Sequence, residues 1–110
     1  MKVSELAEKA DLKPLNKCDQ DKEIEGVYIS DMVSDIITGA KANGILVTLQ
    51  THKSLIAAAN LVDVAAVVFS RGKKPAQDVV DLANKAGIGL FCTGTDTWSF
   101  AMRLSELGVK

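Results

Sequence analysis

The chain has 110 residues, 47% of them hydrophobic but only 5% aromatic, and a formal net charge of −1. The length fits one domain with a core that needs no metal or disulfide staple, so residues 1–110 read as a single unit. The near-zero charge and the scarcity of aromatics argue against nucleic acid and acidic membranes as partners, and no apolar run approaches the ~20 residues of a membrane span. Cys18 and Cys92 lie far apart with no CxxC spacing, which points to free thiols. The N-terminus lacks the apolar region of a signal peptide, so the expected location is the cytoplasm.

In chain order, Ser4 is a candidate cap for a first helix with Leu6, Ala7 and Ala10 on one side. Pro14 follows it, and Leu15–Cys18 is a candidate short strand. Asp19-Gln20-Asp21-Lys22-Glu23 lacks the ligand spacing and glycine of a calcium loop and reads as a solvated turn. Glu25–Ile29 reads as a strand. Met32, Val33, Ile36, Ile37 and Ala40 then recur at helical spacing, with Ser30 or Asp31 as the N-cap. Asn43-Gly44 separates this helix from Ile45–Gln50, an uncharged run of the kind found in central strands covered on both faces.

Leu55, Ile56, Ala59 and Val62 mark the next helix, which Asp63 ends. Its run Ala57-Ala58-Ala59 permits close helix approach, within the domain or across a dimer. Val64–Phe69 is an uncharged strand leading to the polar loop Ser70-Arg71-Gly72-Lys73-Lys74-Pro75, and Pro75 suits a first helical turn. Val79, Val80, Ala83 and Ala86 give the following helix its apolar face, ended by Gly87. Ile88–Cys92 is a further strand. Thr93-Gly94-Thr95-Asp96 leads into a last helix, with Trp98, Ala101, Met102, Leu104 and Leu107 expected inward and Gly108 as its stop.

Strands about 20 residues apart with helices between them pair in parallel through right-handed crossovers. The fold class is therefore α/β, a single domain with a mainly parallel sheet built from βαβ crossovers. Ligands of open α/β sheets bind at the carboxyl ends of the strands. Ser30, Asp31, Gln50, Thr51, His52, Ser70, Arg71, Gly72, Thr93, Thr95 and Asp96 all fall there. Helix N-termini carry partial positive charge and unpaired N–H groups, so these residues form a candidate site for a small anion, a nucleotide or a phosphorylated metabolite. Capping alone explains many of the same Ser, Thr and Asp residues. His52, the one histidine, is a candidate acid/base with Asp31 or Ser70 as partner, which would make the chain a small enzyme. Ser30, Thr51 and Ser70 are candidate phospho-acceptors of a switch protein. The residue types do not support a metal site or a kinase P-loop, and they call for no cofactor.

The segments Tyr28–Ile36, Val47–His52, Ala66–Phe69, Lys74-Pro75 and Ala86–Leu90 resemble a DRTGG domain over roughly residues 3–109. The resemblance is to stand-alone versions encoded near iron hydrogenases, and to the non-catalytic N-terminal part of HPr kinase/phosphorylase. Similar domains occur in phosphotransacetylases and between the CBS domains of certain pyrophosphatases. The resemblance implies a MurF/HPr-kinase N-domain-like fold, a regulatory or assembly role without catalysis, homodimerisation and a hydrogenase-related protein partner. The naming signature has Asp-Arg after the organising strand, where this chain has Thr51-His52-Lys53. It has Thr-Gly-Gly after the next, where this chain has Ser70-Arg71-Gly72, so only Gly72 carries over.

Overall fold

A computed structural model describes residues 1–109. Ten elements follow in the order α1 (Val3–Lys9), β1 (Lys13–Pro14), β2 (Val27–Ile29), α2 (Val33–Gly39), β3 (Ile45–Thr48), α3 (Lys53–Val62), β4 (Ala66–Phe69), α4 (Gln77–Ala86), β5 (Gly89–Cys92) and α5 (Thr97–Glu106). They build one five-stranded sheet of order β1-β5-β4-β3-β2, in which β2 to β5 are parallel and β1 pairs antiparallel with β5.

Sequential parallel neighbours joined by right-handed crossovers bring successive helices to the same face. α2, α3 and α4 accordingly cover one face. Ile36, Leu55, Ile56, Ala59, Val79 and Ala83 pack there on Leu46, Val67, Phe69, Leu90 and Cys92. The other face holds α1 and α5, with Val3, Leu6, Phe100 and Leu104 on Ile45, Val47, Ala66, Val68 and Phe91. Odd and even positions of β3 separate cleanly between these cores, as the two-residue period of a strand requires. This explains why the central strands carry no charge: both of their faces are covered.

Several expectations need correction. The N-terminal strand is Lys13–Pro14, not Leu15–Cys18. Proline is tolerated there because β1 is an edge strand. Leu15 still donates its N–H to Leu90 O, and Asn16 clamps the segment by accepting from Leu90 N–H at 2.8 Å and donating to Ile88 O at 2.9 Å. α1 is capped at Lys2, whose N–H meets Glu5 Oε1 at 3.1 Å, so Ser4 lies inside the helix. α2 ends at Gly39 and starts after Met32, so neither Ser30 nor Asp31 is its N-cap. Pro75 precedes the Ala76 cap of α4 and is outside the helix.

α5 is rotated from its expected phase. Phe100 and Leu104 form its buried stripe. Trp98 and Met102, each two residues from that stripe and thus about 200° around the helix, are 73% and 48% exposed. The alanine run of α3 is mostly internal, since Ala58 and Ala59 are buried and only Ala57 faces out.

Candidate functional site

The parallel sheet gathers the ends of β2, β3, β4 and β5 on one margin, and with them all eleven candidate residues. Sharing a margin does not leave them equally available, because most of their polar atoms hold the loops together.

Asp31 leaves β2 and reaches β3. Its Oδ1 accepts from Thr48 Oγ1 and from Leu49 N–H, both at 2.8 Å. Thr48, 1% exposed, also accepts from Gln50 N–H through Oγ1 at 3.0 Å. Ser30 Oγ accepts from Met32 N–H at 3.2 Å, and Gln50 Oε1 from Thr51 N–H at 3.1 Å. His52 is the N-cap of α3. Its Nδ1 accepts from Ser54 N–H at 3.1 Å and lies 3.0 Å from Ser54 Oγ.

Beyond β4 the chain turns through Arg71 and Gly72, both left-handed with φ of 56° and 69°, and Lys73 N–H closes the turn on Ser70 O at 3.2 Å. Glycine suits such a position because it has no Cβ to strain. The turn docks on the β5 loop: Arg71 N–H donates to Thr95 O and Gly72 N–H to Thr93 O, each at 2.8 Å. Ser70 is 0% exposed, and its Oγ lies 2.7 Å from Thr97 Oγ1. Thr93 is buried as well and accepts from Thr95 N–H at 3.2 Å. Asp96 caps α5, accepting from Ser99 N–H at 2.9 Å and Ser99 Oγ at 3.0 Å. The backbone bond from Ser99, then its hydroxyl, holds the Asp96 carboxyl below the usual 3.8.

Asp31, Ser70, Thr93 and Asp96 are thus committed to the scaffold. The side chains of Gln50, His52, Arg71 and Thr95 stay exposed, with Lys73 and Lys74 beside them, and Thr51 is half-buried. His52, Asp31 and Ser70 each pair with a different neighbour and share no hydrogen bond, so no acid, base and nucleophile are assembled. Ser70 is shut off from the solvent a phosphate donor would arrive in. Among the described residues no three His, Cys, Asp or Glu side chains cluster as a metal ion would require, and both cysteines are free. Among the described residues no helix is long and apolar enough to cross a membrane.

Sequence reasoning missed Thr48. Its signal was present, a lone hydroxyl at the end of an apolar strand. A cavity of about 330 Å³ lies at the opposite margin, beside Gly26, Tyr28, Gly39 and Gly44.

A mainly parallel sheet covered on both faces, with its polar residues gathered at the strand ends, defines an α/β domain. The chain belongs to the DRTGG domain family, whose model matches residues 5–107, and no catalytic family is indicated. Among solved structures it is similar to the CBS and DRTGG domains of the regulatory region of a Clostridium perfringens pyrophosphatase complexed with its activator, diadenosine tetraphosphate. The TM-score is 0.79 at 15% identity. The match covers 94% of this chain but 45% of that one, and it is a likeness of fold. No curated protein matches the chain in sequence.

Proposed function

We propose that this domain is a cytoplasmic regulatory module that takes a small phosphate-bearing anion, of nucleotide type, at the carboxyl ends of its strands and acts as a homodimer. One observation carries the ligand reading: the N-termini of α3, α4 and α5 open on the margin where Arg71, Lys73 and Lys74 stand exposed on a fixed turn. Helix N-termini and guanidinium groups favour phosphate for the same electrostatic reason. In this reading Gln50, Thr51, His52, Arg71 and Thr95 contact the ligand. Ser30, Asp31, Ser70, Gly72, Thr93 and Asp96 set the loops that present them. The activator bound by the pyrophosphatase region is of the same chemical class, which supports the choice of nucleotides. The dimer reading is supported by Trp98 and Met102, adjacent on the outer side of α5, since exposed aromatic and thioether side chains are enriched at interfaces. A hydrogenase-related partner rests on the family resemblance alone.

Thermal shift with ATP, diadenosine tetraphosphate and inorganic phosphate at millimolar concentration tests the ligand. Stabilisation by at least one of them, reduced in Arg71→Ala, is expected; no shift with any would overturn it. Sedimentation at tens of micromolar tests the dimer. A monomer would remove it, whereas a dimer that dissociates in Trp98→Ser would support it.

A further inference from the structure

Among the described residues the sheet stops at β2, which pairs with β3 on one side and with no strand on the other. Ile45 N–H donates to Gly26 O at 2.9 Å and Ser30 N–H to Val47 O at 3.2 Å. In a parallel ladder alternate residues face the same neighbour, so the N–H and C=O groups of Val27 and Ile29 point away from the sheet. Natural edges are commonly blunted by shortness, proline, lysine or a bulge. Val27-Tyr28-Ile29 is short, at three residues, but carries no proline, lysine or bulge, and Ile29 is 44% exposed.

Beside the start of this edge lies the cavity of about 330 Å³, with Val27, Tyr28, Gly39 and Ala40 in its walls. Its shape depends on Gly39, because a Cβ there would run into the Tyr28 phenol. Glu25 also lines it and accepts from Asn43 Nδ2 at 2.8 Å. Asp35 accepts from Tyr28 Oη at 2.9 Å. Glu25 and Asp35 thus stand beside the edge, each with only neutral hydrogen-bond partners among the described residues, while Asp31 at the far end of β2 turns in toward β3. One cation, Lys41, also borders the cavity. A second copy pairing through β2 would set the same carboxylates against one another, and like charges across strands are unfavourable. A basic strand would meet them with opposite charge.

We propose that the β2 edge is a docking site for an extended, lysine- or arginine-bearing segment of a partner protein. The segment adds as a further strand and lays one long basic side chain in the cavity. This is the β-augmentation mode, in which main-chain bonds give affinity and a side-chain pocket gives selectivity. The aliphatic stem lies along Val27 and Tyr28, and the cationic head reaches Glu25 and the carbonyl end of α2. The edge is separate from the strand-end margin, so this inference does not depend on the anion reading.

The test is an NMR titration of the ¹⁵N-labelled chain with an acetylated hexapeptide alternating valine and lysine, and with its valine–glutamate counterpart. The lysine peptide is expected to move amides of residues 25–29 and 39–44 and to bind more tightly than the glutamate peptide. Glu25→Gln combined with Asp35→Asn weakens it about fivefold, as two exposed charge pairs would. Ile29→Pro removes an outward N–H without touching the bonds to β3, and abolishes binding. Should that variant fail to fold, the charge variant decides alone. The inference fails if the peptides bind equally or neither binds at millimolar concentration, if the shifts fall on the strand-end loops, or if the charge variant binds unchanged. It also fails if the β2 amides shift with protein concentration in the absence of peptide, which would mean self-pairing.

Discussion

Asp31 and Thr48 are 17 residues apart in the chain, yet their side chains meet at 2.8 Å and tie the end of β2 to the end of β3. The bond closes over a buried hydroxyl, and the same carboxylate oxygen takes the Leu49 N–H. Asp31→Ala leaves both donors without this acceptor. Because Thr48 is buried, the loss is about 2 kcal/mol. Asp31→Asn keeps an oxygen in place and costs less. Urea midpoints at unchanged m-value for the two variants check the order.

Ser70 and Thr97 make a second tie, between the end of β4 and the first turn of α5. Ser70→Ala removes a neutral hydrogen bond and lowers stability by about 1 kcal/mol. Ser70→Asp places a carboxylate in a fully buried position facing a hydroxyl, and the cost is on the order of 4 kcal/mol. Thermal melts of both variants measure this. The same burial predicts no phosphate on Ser70 in the intact mass of the cell-derived protein.

His52 stands where the family signature has a different residue, and it serves α3 as a cap. His52→Ala removes the acceptor of the Ser54 N–H and costs about 1 kcal/mol. His52→Asp restores an acceptor at a helix N-terminus and recovers most of that loss. Binding of a phosphate-bearing ligand separates the two roles: His52→Asp regains stability but places a negative charge on the margin, so it weakens the thermal shift with ATP.

These ties explain how far the sequence could be read. The four parallel strands are legible because both faces of each are apolar, and the stops at Asp63 and Gly87 are legible because both adopt the left-handed conformation there, φ 66° and 73°. The margin follows from the strand directions. Illegible is which of its polar residues are spent on the scaffold, since Asp31–Thr48 and Ser70–Thr97 join positions 17 and 27 residues apart that no local pattern relates. The phase of α5 is ambiguous for another reason. Trp98 and Met102 form a helical pair as apolar as Phe100 and Leu104, and only packing on Val47 and Val68 selects between them. β1 gives no signal at all, being two residues long and half proline.

Tyr28 is the only tyrosine in the chain, so its ionisation can be followed by ultraviolet absorbance without interference. The hydrogen bond it donates to Asp35 is the first cause, burial and the negative charge of Asp35 the others, that raise its phenol above the ordinary 10.0. A group whose folded value lies above its unfolded one stabilises the fold fully below the unfolded value, and the effect is lost as pH rises through the folded value. Stability should therefore decline above pH 10.0 more steeply in the native chain than in Asp35→Ala, whose phenol titrates nearer its ordinary value. Gly39→Ala probes the same contact from the other side: its methyl group displaces the ring, breaks the bond to Asp35 and lowers the phenol value without removing the carboxylate. A titration midpoint unchanged in both variants would mean that the Tyr28–Asp35 bond does not persist in solution.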